Sequence, residues 1–490
     1  MTLASDLTRL EGSGLIRLAT ARPQVEYIFR HALIHEAAYQ SLLREDRRAL
    51  HRAAGEILEE LWGARVEEGA ATLAYHFARA EIPSKAVPYQ LRAADRAAAS
   101  YANPEALELY AQALEGAPAA ELPPAEVARA YERFGAVLEL VGRLDEAVDA
   151  YLHALERTDP NGTLDRARLA RRQGNAHRIA RRVPDARAAF RAATELLDEV
   201  AGDNRGGEWW SERLDLLLDR AWLHYFWGTL EEMADVLSAC APAVEPYASA
   251  AQRTRYYARL ALLKMRSSHI TVTDEALALT QAAYDAWTAT GDSTDVELAR
   301  FQLGLFHLMR GEVEDAVRHL EESLRAAELT GDVVLQSRCF SFLAVAARLR
   351  GDVEEMERIQ SRAMPVFTAG GMYEYLAIAA ANRAWAAWRR GDQDVAHTHA
   401  DEAIRLGQML PAKYPMEWTV RLPLLAMALE RGDLTEATDQ ADELVDGTWL
   451  GEEYRQAVQE ARAAYQSGET EVTRERLSLV VARARRRGWL

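Results

Sequence analysis

The 490 residues would make about three ordinary domains, unless the chain is built of repeats that each touch only their neighbours. A composition of 49% hydrophobic and 27% charged residues, with no apolar run near the ~18 residues of a membrane span, excludes a helical membrane protein and a disordered one. The net charge of -17 disfavours direct nucleic-acid binding, which rests on neutralising phosphates, and two lone cysteines, Cys240 and Cys339, exclude a disulfide framework. Those thiols suit a reducing compartment, and Met1–Leu10 lacks the pattern of a signal peptide, so a cytoplasmic location is expected.

Taken in chain order, Asp6 to Gly12 reads as the end of a short helix. Leu15–Leu18 and Val25–Phe29 read as two strands joined by a polar turn containing Pro23, and a helix followed by a small hairpin is the back half of a winged helix. A helical string follows, from His31-Ala32-Leu33-Ile34-His35-Glu36 through Tyr39, Leu42-Leu43 and Arg48-Ala49-Leu50-His51 to Leu73-Ala74-Tyr75-His76-Phe77 and Lys85-Ala86. His31 and His35 share a helical face at a spacing that can ligate zinc, but no third ligand follows Glu36 at a known spacing, so packing is the reading taken.

Beyond residue 100 the sequence becomes periodic. Gly311, Gly351, Gly391 and Gly432 step by 40, 40 and 41 residues, each followed by an acidic residue. A second set, Gly291-Asp292, Gly331-Asp332 and Gly370-Gly371, lies between them. Two interleaved turns about 20 residues apart imply two helices per repeat, with Gly ending one and Asp capping the next. The clearest unit has Tyr131, Phe134 and Gly135 on its first helix, Gly142 at the turn, and Ala147, Tyr151, Ala154 and Leu155 on its second, closed by Pro160. Small residues let the two helices cross closely and aromatic knobs fill the space around the crossing. This unit resembles the tetratricopeptide repeat. Turns near 101, 142, 181, 228, 271, 311, 351, 391, 432 and 468 predict about ten helix pairs, with Thr271 marking a weak one and Gly202–Trp210 the place for an insertion. The resemblance implies an all-α, right-handed solenoid behind the short N-terminal hairpin.

The string from residue 3 to about 115 resembles the junction in bacterial multidomain regulators, where a nucleotide-binding module of the signal-transduction ATPase type is followed by a winged helix and then by tetratricopeptide-like repeats. Some members carry a nucleotide cyclase domain upstream. The resemblance implies a partial winged helix over 1–40, a helical linker with a first degenerate repeat over 41–115, and a sensor superhelix over 116–490. The departure from the family is plain: none of Lys85, Lys264 and Lys413 follows a glycine, so there is no phosphate-binding GxxxxGK[ST] loop, and no ATPase or cyclase residue can be carried over. The chain therefore reads as a non-catalytic sensor that binds a protein, peptide or small effector in a concave groove; the alternative is the regulatory portion of an ATPase or cyclase whose catalytic domain lies elsewhere.

No residue pattern calls for a catalytic centre, a cofactor or a metal. His397 and His399 point to different sides of a helix, and neither cysteine has a neighbouring histidine in sequence. Arg483, Arg485, Arg486 and Arg487 suit a solvated helix C-terminus. Since the first helix of each pair lines the concave face in such arrays, the repeat frame places Trp222, Tyr225, Phe226, Arg348, Trp385, Trp388 and Arg389 near a groove. Aromatic residues and arginine are the types most enriched at binding hot spots.

Overall fold

Turn chemistry decides where each helix stops. Gly142, Gly311, Gly351, Gly391, Gly432 and Gly468 all adopt the left-handed backbone conformation, with φ between 70° and 85°, that a side chain disfavours. Asp332, Asp352, Asp392 and Asp433 then cap the following helices, each carboxylate accepting from the backbone N–H three residues on at 2.9–3.2 Å. Glu312 takes the same position without capping and binds His307 and Arg310 instead. At two other turns Tyr101 and Arg181 adopt the left-handed conformation with a side chain in place, at φ 58° and 63°, against a cost of roughly 1–2 kcal/mol.

The computed structural model describes residues 3–20, 26–268, 272–288, 294–410, 416–446 and 452–490. The expected turns at Pro23, Thr271 and Gly291-Asp292, the expected strand start at Val25, and Lys413 lie outside the described residues. The chain forms two compact units, Met1–Ala130 and Tyr131–Leu490. The first begins with α1 (Leu3–Gly12), β1 (Ile16–Thr20), β2 (Glu26–Phe29) and α2 (Ala32–Ser41). The two strands pair antiparallel, Ile16 opposite Phe29 and Leu18 opposite Tyr27. Then come α3 (Arg44–Trp62), α4 (Ala70–Arg79), α5 (Pro83–Ala99) and α6 (Asn103–Gly116). Helix α7 (Pro124–Leu140) leads into α8 (Leu144–Arg157), α9 (Thr163–Ile179), α10 (Val183–Glu199), α11 (Gly207–Trp227), α12 (Leu230–Tyr247), α13 (Ala250–Ser267) and α14 (Asp274–Thr288). The last ten are α15 (Thr294–Arg310), α16 (Val313–Thr330), α17 (Val333–Leu349), α18 (Val353–Ala369), α19 (Tyr373–Arg389), α20 (Gln393–Gln408), α21 (Trp418–Arg431), α22 (Leu434–Asp446), α23 (Glu452–Gln466) and α24 (Thr470–Arg486).

The fold is an all-α solenoid of tetratricopeptide-like helix pairs with one short hairpin. Its described turns fall where the glycine frame puts them. The stretch Gly202–Trp210 divides: a short turn covers Gly202–Asn204, and Gly207–Trp210 is already the first turn of α11. There Trp209 is buried and donates its Nε1–H to the Leu197 carbonyl at 2.9 Å. Among the described residues no helix is long and apolar enough to cross a membrane.

Within a pair, a glycine on the first helix faces a large side chain on the second. A Cβ built on Gly135 would lie 2.8 Å from the Tyr151 ring, one on Gly174 2.7 Å from the Phe190 ring, and one on Gly304 2.8 Å from Leu320 Cγ. The partner is sixteen residues on in all three. First helices such as α17 and α19 are buried on nearly every face, whereas second helices such as α16 bury one stripe, Ala316, Leu320, Ser323, Leu324 and Ala327.

In the first unit, Leu73, Ala74, Phe77 and Tyr89 form the core against α3, while α2 has no buried residue. Leu33, Leu43, Leu50 and Ile57 are exposed, between 57% and 83%. Tyr39 Oη, His51 and His76 join in a chain of 3.0 Å hydrogen bonds, and burial pushes both imidazoles towards the neutral form. His31 and His35 sit at the start of α2, where the His35 ring contacts Phe29 and Tyr39.

The glycine-on-aromatic crossing predicts that Gly174→Ala loses roughly 1–3 kcal/mol by overpacking against Phe190. Gly202→Ala, where a Cβ meets nothing within 4 Å, should change stability by no more than about 0.5 kcal/mol. Urea denaturation of the two variants beside the parent checks this.

Candidate ligand cavity

The first helices of the second unit carry inward-facing residues at three- and four-residue steps. On α9, α11 and α13 part of these faces forms an ion-pair ladder. Arg171 reaches Glu212, Asp215 and Asp219 at 3.5, 3.4 and 2.9 Å, and Arg255 reaches Asp215 and Asp219 at 2.9 and 2.8 Å. Burial pushes the Asp219 carboxyl up, but Arg255 and Arg171 together outweigh it and hold the group ionised. Glu139 accepts from Tyr151 Oη and Asn175 Nδ2 at 3.0 and 2.7 Å, and its burial raises its pKa.

Elsewhere the inner faces are apolar and surround a cavity of about 1570 Å³ of atom-free space, part of it open to solvent. Helix α11 contributes Trp222, Tyr225, Phe226 and Trp227; α15 contributes Phe301, Leu305 and Met309; α17 contributes Phe342 and Val345; and α19 contributes Tyr375 and Ile378. Trp418 of α21 and Trp489 beyond α24 complete the wall.

The cavity has facing walls because the solenoid coils back on itself. A Cβ on Gly142 would meet Val333 Cβ at 3.6 Å and Gly370 Cα at 3.8 Å. Arg181 pairs with Glu374, 193 residues away, and lies 5.1 Å over the Trp227 ring. Arg181 owes this position to the left-handed turn between α9 and α10. At the other end Arg348 donates from Nη1 to Asn382 Oδ1 (2.9 Å) and the Thr419 carbonyl (3.2 Å), and from Nη2 to the Trp489 carbonyl (3.3 Å). It thereby ties the final residues to α17, while Leu349 packs against Gly488.

Of the seven residues that the repeat frame places near a groove, Trp222, Tyr225 and Phe226 come together at the cavity wall as a stacked and edge-on cluster with ring centroids 4.9–5.1 Å apart. The other four lie elsewhere. Trp385 is wholly buried, and Arg348 is 2% exposed and bound as above. Trp388 is half-buried and donates to Glu430 at 3.2 Å, and Arg389 is exposed with its guanidinium over Trp385. Arg259 and Arg338 line the cavity without having been singled out by the frame. The signal for Arg259 was available: a charge inside the apolar run Ala258-Arg259-Leu260-Ala261-Leu262-Leu263.

His307, Glu312 and Asp315 bring possible ligand atoms within 4.8 Å of one another, but Glu312 is already engaged by His307 at 2.6 Å and Arg310 at 2.8 Å. Cys240 and Cys339 are free and buried, and burial pushes both thiols up to about 12, far from a reactive thiolate.

The fold matches solved helical-repeat structures at low identity. A Rap protein complexed with competence and sporulation factor aligns over 74% of this chain and 99% of its own, at 14% identity and a TM-score of 0.52. The quorum sensor NprR with its cognate peptide NprX aligns at 14% identity over 63% of this chain and 85% of its own, TM-score 0.43. A signal-transduction ATPase with a tetratricopeptide repeat sensor from Pyrococcus horikoshii aligns at 11% identity over 83% of this chain and 58% of its own, TM-score 0.40. No protein-family model and no curated protein matches the sequence.

Removing the Arg348 side chain strands an amide oxygen and two carbonyls in the core. Arg348→Ala should therefore lose about 3 kcal/mol or more, while Arg389→Ala, exposed, should stay within about 0.5 kcal/mol. Chemical denaturation of both variants decides between a clamp and a surface residue.

Proposed function

We propose that this chain is a non-catalytic sensor module, acting in signalling or transcription regulation, whose interior cavity binds a small effector or a short peptide segment. The observation that carries the reading is the convergence of aromatic side chains from α11, α15, α17 and α19 on one recess whose walls touch across the coil. Pockets for small ligands are concave and largely apolar, with a few placed polar groups. A recess lined in this way suits a small molecule or a few peptide residues better than a folded domain. We divide the chain into a partial winged helix over 1–40, a linker with a degenerate repeat over 41–115, and the sensor superhelix over 116–490. Free, buried thiols at Cys240 and Cys339 support a reducing, cytoplasmic setting.

A second reading, the regulatory portion of a multidomain ATPase or cyclase, draws support from the first unit. Leu33, Leu43, Leu50 and Ile57 present apolar surface of the kind that another domain covers.

The test is ligand capture. The purified chain is incubated with a small-molecule and peptide extract, washed, and its retained ligand identified by mass spectrometry. Met309→Trp fills the cavity and should abolish retention, whereas Arg389→Ala should leave it intact. No retained ligand, or retention untouched by Met309→Trp, contradicts the reading.

A further inference from the structure

The arginines of the inner surface are not all ion-paired. Arg171, Arg255 and Arg181 have carboxylate partners. Arg178, Arg259 and Arg338 have none at ion-pair distance among the described residues. Arg178 is 6% exposed; it donates from Nε and Nη2 to Asn175 Oδ1 at 2.9 and 2.5 Å, and its Nη1 is unsatisfied. Arg259 is 4% exposed, and its Nε is buried without a partner. Its guanidinium lies 4.0 Å over the Trp222 ring, with Arg338 on the same ring at 5.7 Å. Both arginines line the cavity. Tyr375, whose hydroxyl is buried beside Arg338, adds a neutral polar group. Burial first, and then Arg255 and Arg178, press against charge on Arg259; Asp219 favours it and Arg338 opposes it.

An unpaired buried cation is costly, and proteins retain one where something else completes it. Cation–π contact with Trp222 offsets part of the cost but satisfies no N–H donor. A planar guanidinium with free donors is built for anionic oxygens.

We propose that the cavity's ligand is an anion: an aromatic or aliphatic body held against Trp222, Phe301 and Phe342, with a carboxylate or phosphate received by Arg259 and Arg338. This rests on the proposed use of the cavity and specifies the chemical class of its ligand.

Two dyes with one aromatic skeleton test it on the full chain: 8-anilinonaphthalene-1-sulfonate, which carries an anionic group, and N-phenyl-1-naphthylamine, which carries none. The sulfonate should bind at least roughly tenfold more tightly, the factor expected for one charged hydrogen bond. Arg259→Met should erase that preference, keep the affinity for the neutral dye, and melt no lower than the parent, since it removes a buried charge without a partner. Arg338→Met, at a more exposed position, should weaken the preference in the same direction. Displacement of the sulfonate dye by 1-naphthoate assigns the site to a carboxylate, and by 1-naphthyl phosphate to a phosphate; failure of both overturns the inference. Equal affinity for the two dyes, or a preference that survives both substitutions, also overturns it while leaving the cavity reading in place. Binding of neither dye overturns both.

Discussion

Everything in the second unit depends on how closely two helices can cross within a pair. Gly135, Gly174 and Gly304 lie under Tyr151, Phe190 and Leu320 at distances that leave no room for a methyl group. That interlock sets the crossing within the pair, and the turn glycines let the chain reverse into it. Because each pair stacks on the next in nearly the same way, a small rotation per pair accumulates along the array. Its sum brings the turn at Gly142 against Val333 and the turn at Arg181 against Glu374.

The same constraint divides the labour among helices. The second helix of a pair meets solvent on one side and needs only one apolar stripe. The first helix is enclosed by its partner, its neighbours and the opposite wall, so its residues are buried on nearly every face. Polar groups on these inner helices are consequently costly unless paired. The ladder of Arg171, Arg255, Asp215 and Asp219 shows the paired solution, and Arg348, with three acceptors and two indole rings around it, shows another. Arg259 follows neither, which is why it stands out as a group awaiting a ligand rather than as part of the frame.

The solenoid was legible in the sequence because its determinants are local. A glycine past a helix, an aspartate before the next, and a small residue sixteen positions ahead of a large one can all be read without knowing the coil. Tyr101 and Arg181 occupy left-handed turns without glycine, yet periodicity still located those turns. The cavity was legible only in part, and for a physical reason. Which inner residues face the lumen depends on curvature, a sum of small rotations that no single repeat encodes. Trp222, Tyr225 and Phe226 lie where the walls stay apart, whereas Trp385 and Arg348 lie where the neighbouring helices and the C-terminal residues close over them. On an all-buried helix, residue type does not separate a wall from a core.

Closure of the coil is the claim on which the cavity and its proposed ligand stand, and a disulfide measures it most directly. Gly142→Cys combined with Val333→Cys puts two thiols at a Cβ separation of 3.6 Å, inside the usual ~3.5–4.5 Å range for a disulfide, although 191 residues separate them in sequence. Native Cys240 and Cys339 are buried and do not compete. Mild oxidation followed by peptide mass spectrometry under non-reducing conditions should find the intramolecular 142–333 crosslink in the folded double variant. A pair that stays reduced under oxidant, with both thiols open to maleimide, would mean that the walls do not meet, and would contradict the account.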